Sequence, residues 1–142
     1  MIRIEPLSIA IPADRLLIPL YLSSVPAGFP SPADDYMDRE LDLLELLVKH
    51  PAATFFCRVT GDSMLGAGIH DGDILIVDRA VKPVHGDVVV AAVAGELTCK
   101  YLDLHHRRLM PANETYTPIE IAEGSDLVLE GVVVNSIRCH RG

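Results

Sequence analysis

From Thr54 to Asp78 the chain reads Phe55-Phe56-Cys57-Arg58-Val59, then Gly61-Asp62-Ser63-Met64, then Asp71-Gly72-Asp73-Ile74-Leu75-Ile76-Val77. Two short runs of aromatic and β-branched residues flank turn-forming clusters, the pattern of successive strands rather than of a helix. The pattern continues downstream. Val88-Val89-Val90-Ala91-Ala92-Val93 runs to Gly95, and Glu96 to Leu104 reads as its hairpin partner. Tyr116 to Ile121 and Leu127 to Ile137 add two further apolar runs. Short strands at close spacing, separated by Gly, Asp and Asn, predict a mainly β domain over residues 31–142.

Upstream of Thr54 the period changes. Ser31-Pro32 offers an N-cap and a first-turn proline, and Asp34 and Asp35 suit the positive end of a helix dipole. Met37, Leu41, Leu44 and Val48 follow at helical spacing, and Pro51 stops the segment. One amphipathic helix is therefore expected over 31–50. Residues 1–30 hold Pro6, Pro12, Pro19, Pro26 and Pro30. Proline removes a donor and fixes φ, so neither a long helix nor a central strand fits there. The interspersed Ile2, Ile4, Leu7, Ile9 and Ile11 point to an extended arm that packs on something.

Composition narrows the function. With 142 residues and 49% hydrophobic content the chain can bury one core. Its net charge of −8 repels phosphate, which argues against direct specific binding to nucleic acid. The three cysteines, Cys57, Cys99 and Cys139, form no close pair, so neither a disulfide framework nor a thiolate zinc site is expected. No metal or cofactor is implied. No apolar run reaches the ~20 residues of a membrane span. Leu16 to Leu22 followed by Val25-Pro26-Ala27 has the outline of an export signal, but Glu5 offsets Arg3, and Pro12, Asp14 and Arg15 interrupt it. A cytoplasmic protein without membrane contact is expected.

Two positions stand out chemically. Gly61-Asp62-Ser63-Met64 directly follows a strand, and Gly61 permits a sharp turn that presents the Ser63 hydroxyl beside free backbone N–H groups, as an oxyanion hole requires. Taken alone, a turn serine is the blander reading. A serine needs a base, and no Gly-x-Ser-x-Gly elbow is present. The histidines fall at a helix end, in loops or in the tail; His105-His106-Arg107-Arg108 reads as a hairpin tip. Lys100 differs, because strand alternation puts Thr98, Lys100, Leu102 and Leu104 on one face. A lysine among leucines either snorkels to water or is buried and loses its proton. A neutral amine serves a serine as general base, and Thr98 is placed to hydrogen-bond and aim it. In the arm, Ala27-Gly28 is a peptide bond between small residues, bracketed by Pro26 and Pro30.

Together these pieces resemble the LexA/UmuD family of Ser-Lys self-cleaving proteins of the SOS response. The resemblance rests on Ala27-Gly28-Phe29-Pro30-Ser31-Pro32, Gly61-Asp62-Ser63-Met64, Asp71-Gly72-Asp73-Ile74-Leu75, His85-Gly86-Asp87-Val88 and Glu96-Leu97-Thr98 with Lys100, in order and spacing from about residue 26 onward. It implies a β domain like the LexA C-terminal domain. It implies Ser63 as nucleophile, Lys100 as general base and Ala27-Gly28 as scissile bond, with Gly61, Asp62, Met64 and Thr98 supporting. The N–H groups of Ser63 and Met64 would form the oxyanion hole. The implied partners are a second copy in a homodimer, the RecA filament on single-stranded DNA as stimulator of cleavage, and a Y-family translesion polymerase of the UmuC type. The prolines and the few residues before Ala27 leave no room for the helix-turn-helix domain of a repressor. Two alternatives carry different consequences. A non-catalytic dimeric module that docks a polymerase would leave Lys100 without a use; a signal peptidase, which shares Gly-Asp-Ser-Met, would require a membrane anchor.

Overall fold

The computed structural model describes residues 2–7, 17–21, 37–124 and 126–141. Ala27 and Gly28 lie outside these residues, as does the first part of the expected 31–50 helix. The chain divides into two compact units, one formed by residues 1–10 with 50–142 and the other by residues 11–49.

The larger unit is a single eight-stranded antiparallel sheet. Its strands are β1 (Ile2–Leu7), β4 (Thr54–Gly61), β5 (Ile74–Asp78), β6 (Val88–Val93), β7 (Glu96–Asp103), β8 (Arg108–Met110), β9 (Ile119–Glu120) and β10 (Val128–Ile137). Their order across the sheet is β1-β4-β5-β10-β6-β7-β8-β9. The hairpin expected between Val93 and Glu96 forms: Ala94 at φ 51° and Gly95 at φ 83° make the two-residue turn whose twist matches the strands. His105 and His106 fall in the turn between β7 and β8. The expected strand at Tyr116–Ile121 contracts to Ile119–Glu120.

Alternation sorts the core into two layers. Val90 and Cys99 join Ile2, Ile4, Val59, Met64 and Leu75 in one cluster, while Val89, Ala91, Leu102, Leu109 and Val132 form the other. The sheet curls, so that β1 comes up beside β7 although four strands lie between them in the order. β1 is an edge strand, which is where Pro6, opposite Cys57, is tolerated.

In the smaller unit β2 (Leu17–Tyr21) pairs antiparallel with β3 (Met37–Asp42), and a single turn of helix, α1 (Leu43–Leu47), follows. This corrects the helix expected over 31–50. Asp42, placed by the helical reading inside that helix, is its N-cap: its side chain accepts from Leu44 N at 3.1 Å and Glu45 N at 3.3 Å. Residues before Asp42 take ladder bonds from β2 instead. Pairing with a distant segment outweighed the local apolar period, which has no means of registering it.

Candidate active site

β4 ends at Gly61, whose φ of 110° suits only glycine. The Gly61 N–H donates to Asp71 Oδ1 at 2.9 Å, and the chain turns through Asp62 and Ser63. Met64 is fully buried in the core and anchors the turn from below; such a side chain contributes about 1.5–3 kcal/mol. The neighbouring 68–73 loop is held by Arg138, which donates from Nε to Asp73 Oδ1 at 3.1 Å and from Nη2 to Asp73 Oδ2 at 3.0 Å.

Lys100 comes from the middle of β7, opposite Val89 of β6. Its Nζ donates to Ser63 Oγ at 2.9 Å. Ser63 is 0% and Lys100 6% exposed, so this pair is shielded from water. Burial pushes the Lys100 amine below its ordinary value, opposed only in part by Cys99. Burial also pushes the Cys99 thiol up to about 12, so the thiolate charge behind that opposition is absent at neutral pH. Thr98 lines the same cleft, but among the described residues no hydrogen bond joins it to Lys100.

Ser63 and Lys100 meet only because the sheet curls. β4 and β7 are four strands apart in the order, which in a flat sheet separates them by about 19 Å.

A segment that the sequence reading passed over closes the far side. The chain leaving β8 donates from Ala112 N to Ser63 O at 2.8 Å, and Ala112 O accepts from Gly66 N at 2.7 Å. Asn113 Nδ2 donates to Asp62 O at 3.1 Å, and the Tyr116 hydroxyl donates to Asp62 Oδ1 at 2.7 Å. The carbonyls of Asp62, Ser63 and Met64 are thus all engaged. Among the described residues the N–H groups of Ser63 and Met64 donate to none. Two backbone donors are left on the turn that carries the hydroxyl. A cleft of about 390 Å³ opens on Lys100, lined by Ile2, Leu97, Thr98, Tyr116 and Ile119 among others.

The histidines gather elsewhere. His106 Nδ1 lies 2.9 Å and His85 Nδ1 3.7 Å from Asp103, at the β7–β8 hairpin. His50 Nδ1 lies 2.6 Å from the buried Asp78. Among the described residues no group of three or more His, Cys, Asp or Glu is arranged to hold a metal ion. No described helix is long and apolar enough to cross a membrane.

The peptidase S24-like family matches residues 19–134. Protein SamA of Salmonella typhimurium is 52% identical over 99 residues, 69% of this chain and 71% of that protein. Protein MucA of Escherichia coli is 46% identical over 125 residues, covering 87% of this chain and 86% of its own length. A LexA repressor of Bordetella petrii is 38% identical over 127 residues, 87% of this chain and 55% of the repressor. Matches of this extent, on a β domain of this kind, carry the self-cleaving serine-peptidase type of fold with them. The chain belongs to the peptidase S24-like family, and within it to the UmuD-type proteins of SOS mutagenesis.

Proposed function

We propose that this chain is a self-cleaving serine peptidase whose Ser63–Lys100 dyad cuts its own Ala27-Gly28 bond. The observation that carries the reading is the 2.9 Å separation of Ser63 Oγ and Lys100 Nζ in a buried setting. A lysine there stays neutral at lower pH than one in water, so its lone pair is available.

The steps follow from the groups present. Lys100 Nζ takes the Ser63 proton as Oγ bonds to the Ala27 carbonyl carbon. The oxyanion that forms accepts from the Ser63 and Met64 N–H groups, which lack other partners among the described residues. Lys100 returns the proton to the Gly28 nitrogen, the peptide bond breaks, and Ala27 is left as an ester on Ser63. Water then adds to the ester carbonyl and gives a proton to Lys100. Collapse passes that proton back to Ser63 Oγ, releasing residues 1–27 from 28–142.

Because the substrate is the chain's own arm, or that of a second copy, the scissile bond is held at high effective concentration. Docking of the arm then limits the rate. A partner that favours the docked arm accelerates cutting by about tenfold for each 1.4 kcal/mol of preference, until docking saturates. The RecA filament on single-stranded DNA is the partner the family implies. The trimmed protein then serves as a homodimer on a Y-family polymerase of the UmuC type in translesion synthesis, in the cytoplasm.

The test is a time course of purified protein at mildly alkaline pH, read by intact mass. Wild type is expected to yield a product beginning at Gly28, while Ser63→Ala and Lys100→Ala stay whole. Cutting at the same bond and rate in Lys100→Ala overturns the dyad. A wild-type chain that stays whole even with the RecA filament favours a non-catalytic docking module.

A further inference from the structure

We propose that Tyr116 is a positioning residue for the dyad, holding the Ser63 turn through its hydroxyl bond to Asp62 and walling the Lys100 amine with its ring. The inference rests on the self-cleavage reading above and deepens it.

Tyr116 touches both halves of the site at once. Its hydroxyl donates to Asp62 Oδ1 at 2.7 Å, one residue before the nucleophile. Its ring centroid lies 5.9 Å from Lys100 Nζ, and the ring lines the cleft onto which the amine opens. The rest of its segment works on the same turn, since Ala112 N holds Ser63 O and Asn113 Nδ2 holds Asp62 O. These bonds take up the turn's acceptors and leave the Ser63 and Met64 donors for an incoming carbonyl.

The two contacts have separable effects. The hydroxyl bond fixes where Oγ sits. Losing it lowers the fraction of chains with Oγ in line and leaves the amine's surroundings alone. The ring excludes water from Nζ. A ring face also attracts an ammonium, which acts in the opposite sense, but at 5.9 Å this attraction is at the outer limit of its range. Desolvation therefore dominates, and removing the ring admits water, favours the ammonium and moves the amine's titration up.

The experiment measures self-cleavage of the full chain across pH 7 to 11 for Tyr116→Phe and Tyr116→Leu, beside Ser63→Ala and Lys100→Ala. Tyr116→Phe is expected to cut about threefold to tenfold more slowly with the midpoint of its pH–rate curve unmoved. Tyr116→Leu is expected to be slower still, with the midpoint displaced to higher pH. Circular dichroism and urea midpoints for each variant separate slow cutting from loss of fold; a destabilised Tyr116→Leu leaves Tyr116→Phe to decide. Wild-type rates and midpoints in both Tyr116 variants overturn the positioning role while the dyad stands. Cutting in Ser63→Ala overturns the dyad and the positioning role together.

Discussion

Replacing Gly66 by alanine tests whether the segment after β8 sets the Ser63 turn. Gly66 is not in the left-handed region, so its backbone alone would accept alanine. The obstacle is space. A Cβ at residue 66 would lie 2.7 Å from Ala112 O and 3.3 Å from Ala112 Cβ. Carbon–oxygen contacts relax near about 3.3 Å, so Ala112 must retreat by about 0.6 Å. A backbone oxygen cannot swing aside as a side chain can. Ala112 N holds Ser63 O at 2.8 Å, and the same retreat stretches that bond to about 3.4 Å, near the limit of a hydrogen bond. Misplacement of reacting groups by about 1 Å costs about a hundredfold, so roughly 0.6 Å implies a tenfold slower self-cleavage. Overpacking also destabilises the fold by about 1–3 kcal/mol. The assay is the first-order conversion of full-length chain to residues 28–142 by intact mass, with urea unfolding in parallel. Gly68→Ala is the control. Gly68 has φ 76° and open space around its Cβ position, so it is expected to lose stability through backbone strain while cutting at close to the wild-type rate. A Gly66→Ala chain that cuts as fast as wild type refutes the reasoning.

Further outcomes follow from the charged and thiol groups. Self-cleavage is expected to accelerate about tenfold per pH unit below the Lys100 titration and to level off before the ordinary lysine value of 10.5, because the folded chain releases that proton earlier. The unfolded chain binds more protons across the same window, so stability rises with pH there. Lys100→Met is expected to abolish that rise in urea midpoints. Burial pushes the Asp103 carboxyl up, but bonds from Arg108 and His106 outweigh it and hold it at about 2. Its contribution is present above the ordinary value of 3.8 and lost as pH falls toward 2, and Asp103→Asn is expected to flatten that part of the acid unfolding curve. Cys139 is exposed whereas Cys57 and Cys99 are buried with thiols near 12, so a maleimide is expected to label the native chain once, at Cys139, as peptide mapping would report.

Much of the sheet was legible because strand formation here is local in origin. β4 to β6 and β10 follow runs of Val, Ile and Phe punctuated by Gly and Asp, and β7 follows as the hairpin partner across the Ala94-Gly95 turn. The turn serine and the strand lysine were legible as chemical oddities. Their separation was not, because it depends on the curl of a sheet whose intervening strands lie far apart in sequence. The clasp of Ala112, Asn113 and Tyr116 was missed for the same reason: residues 111–115 carry no motif, and Tyr116 reads only as the start of a strand until Asp62 and Ser63 are beside it. The 31–50 helix failed differently. Its apolar spacing fits a helix, but Asp42 caps a later start, and β2 supplies ladder partners that no window on that segment contains. Gly66 carried no sequence signal at all, since its need for glycine comes from Ala112 O.

Self-cleavage by this dyad requires the Lys100 amine to be neutral where the serine needs it. The direct measurement is the titration of Lys100 Cε by carbon NMR in the Ser63→Ala chain, which stays intact for the length of the experiment, with Lys100→Arg identifying the resonance. A midpoint clearly below 10.5 is expected, coinciding, within the effect of losing the serine, with the midpoint of wild-type self-cleavage. A Lys100 that titrates at or above 10.5 while the wild-type chain still cuts contradicts it.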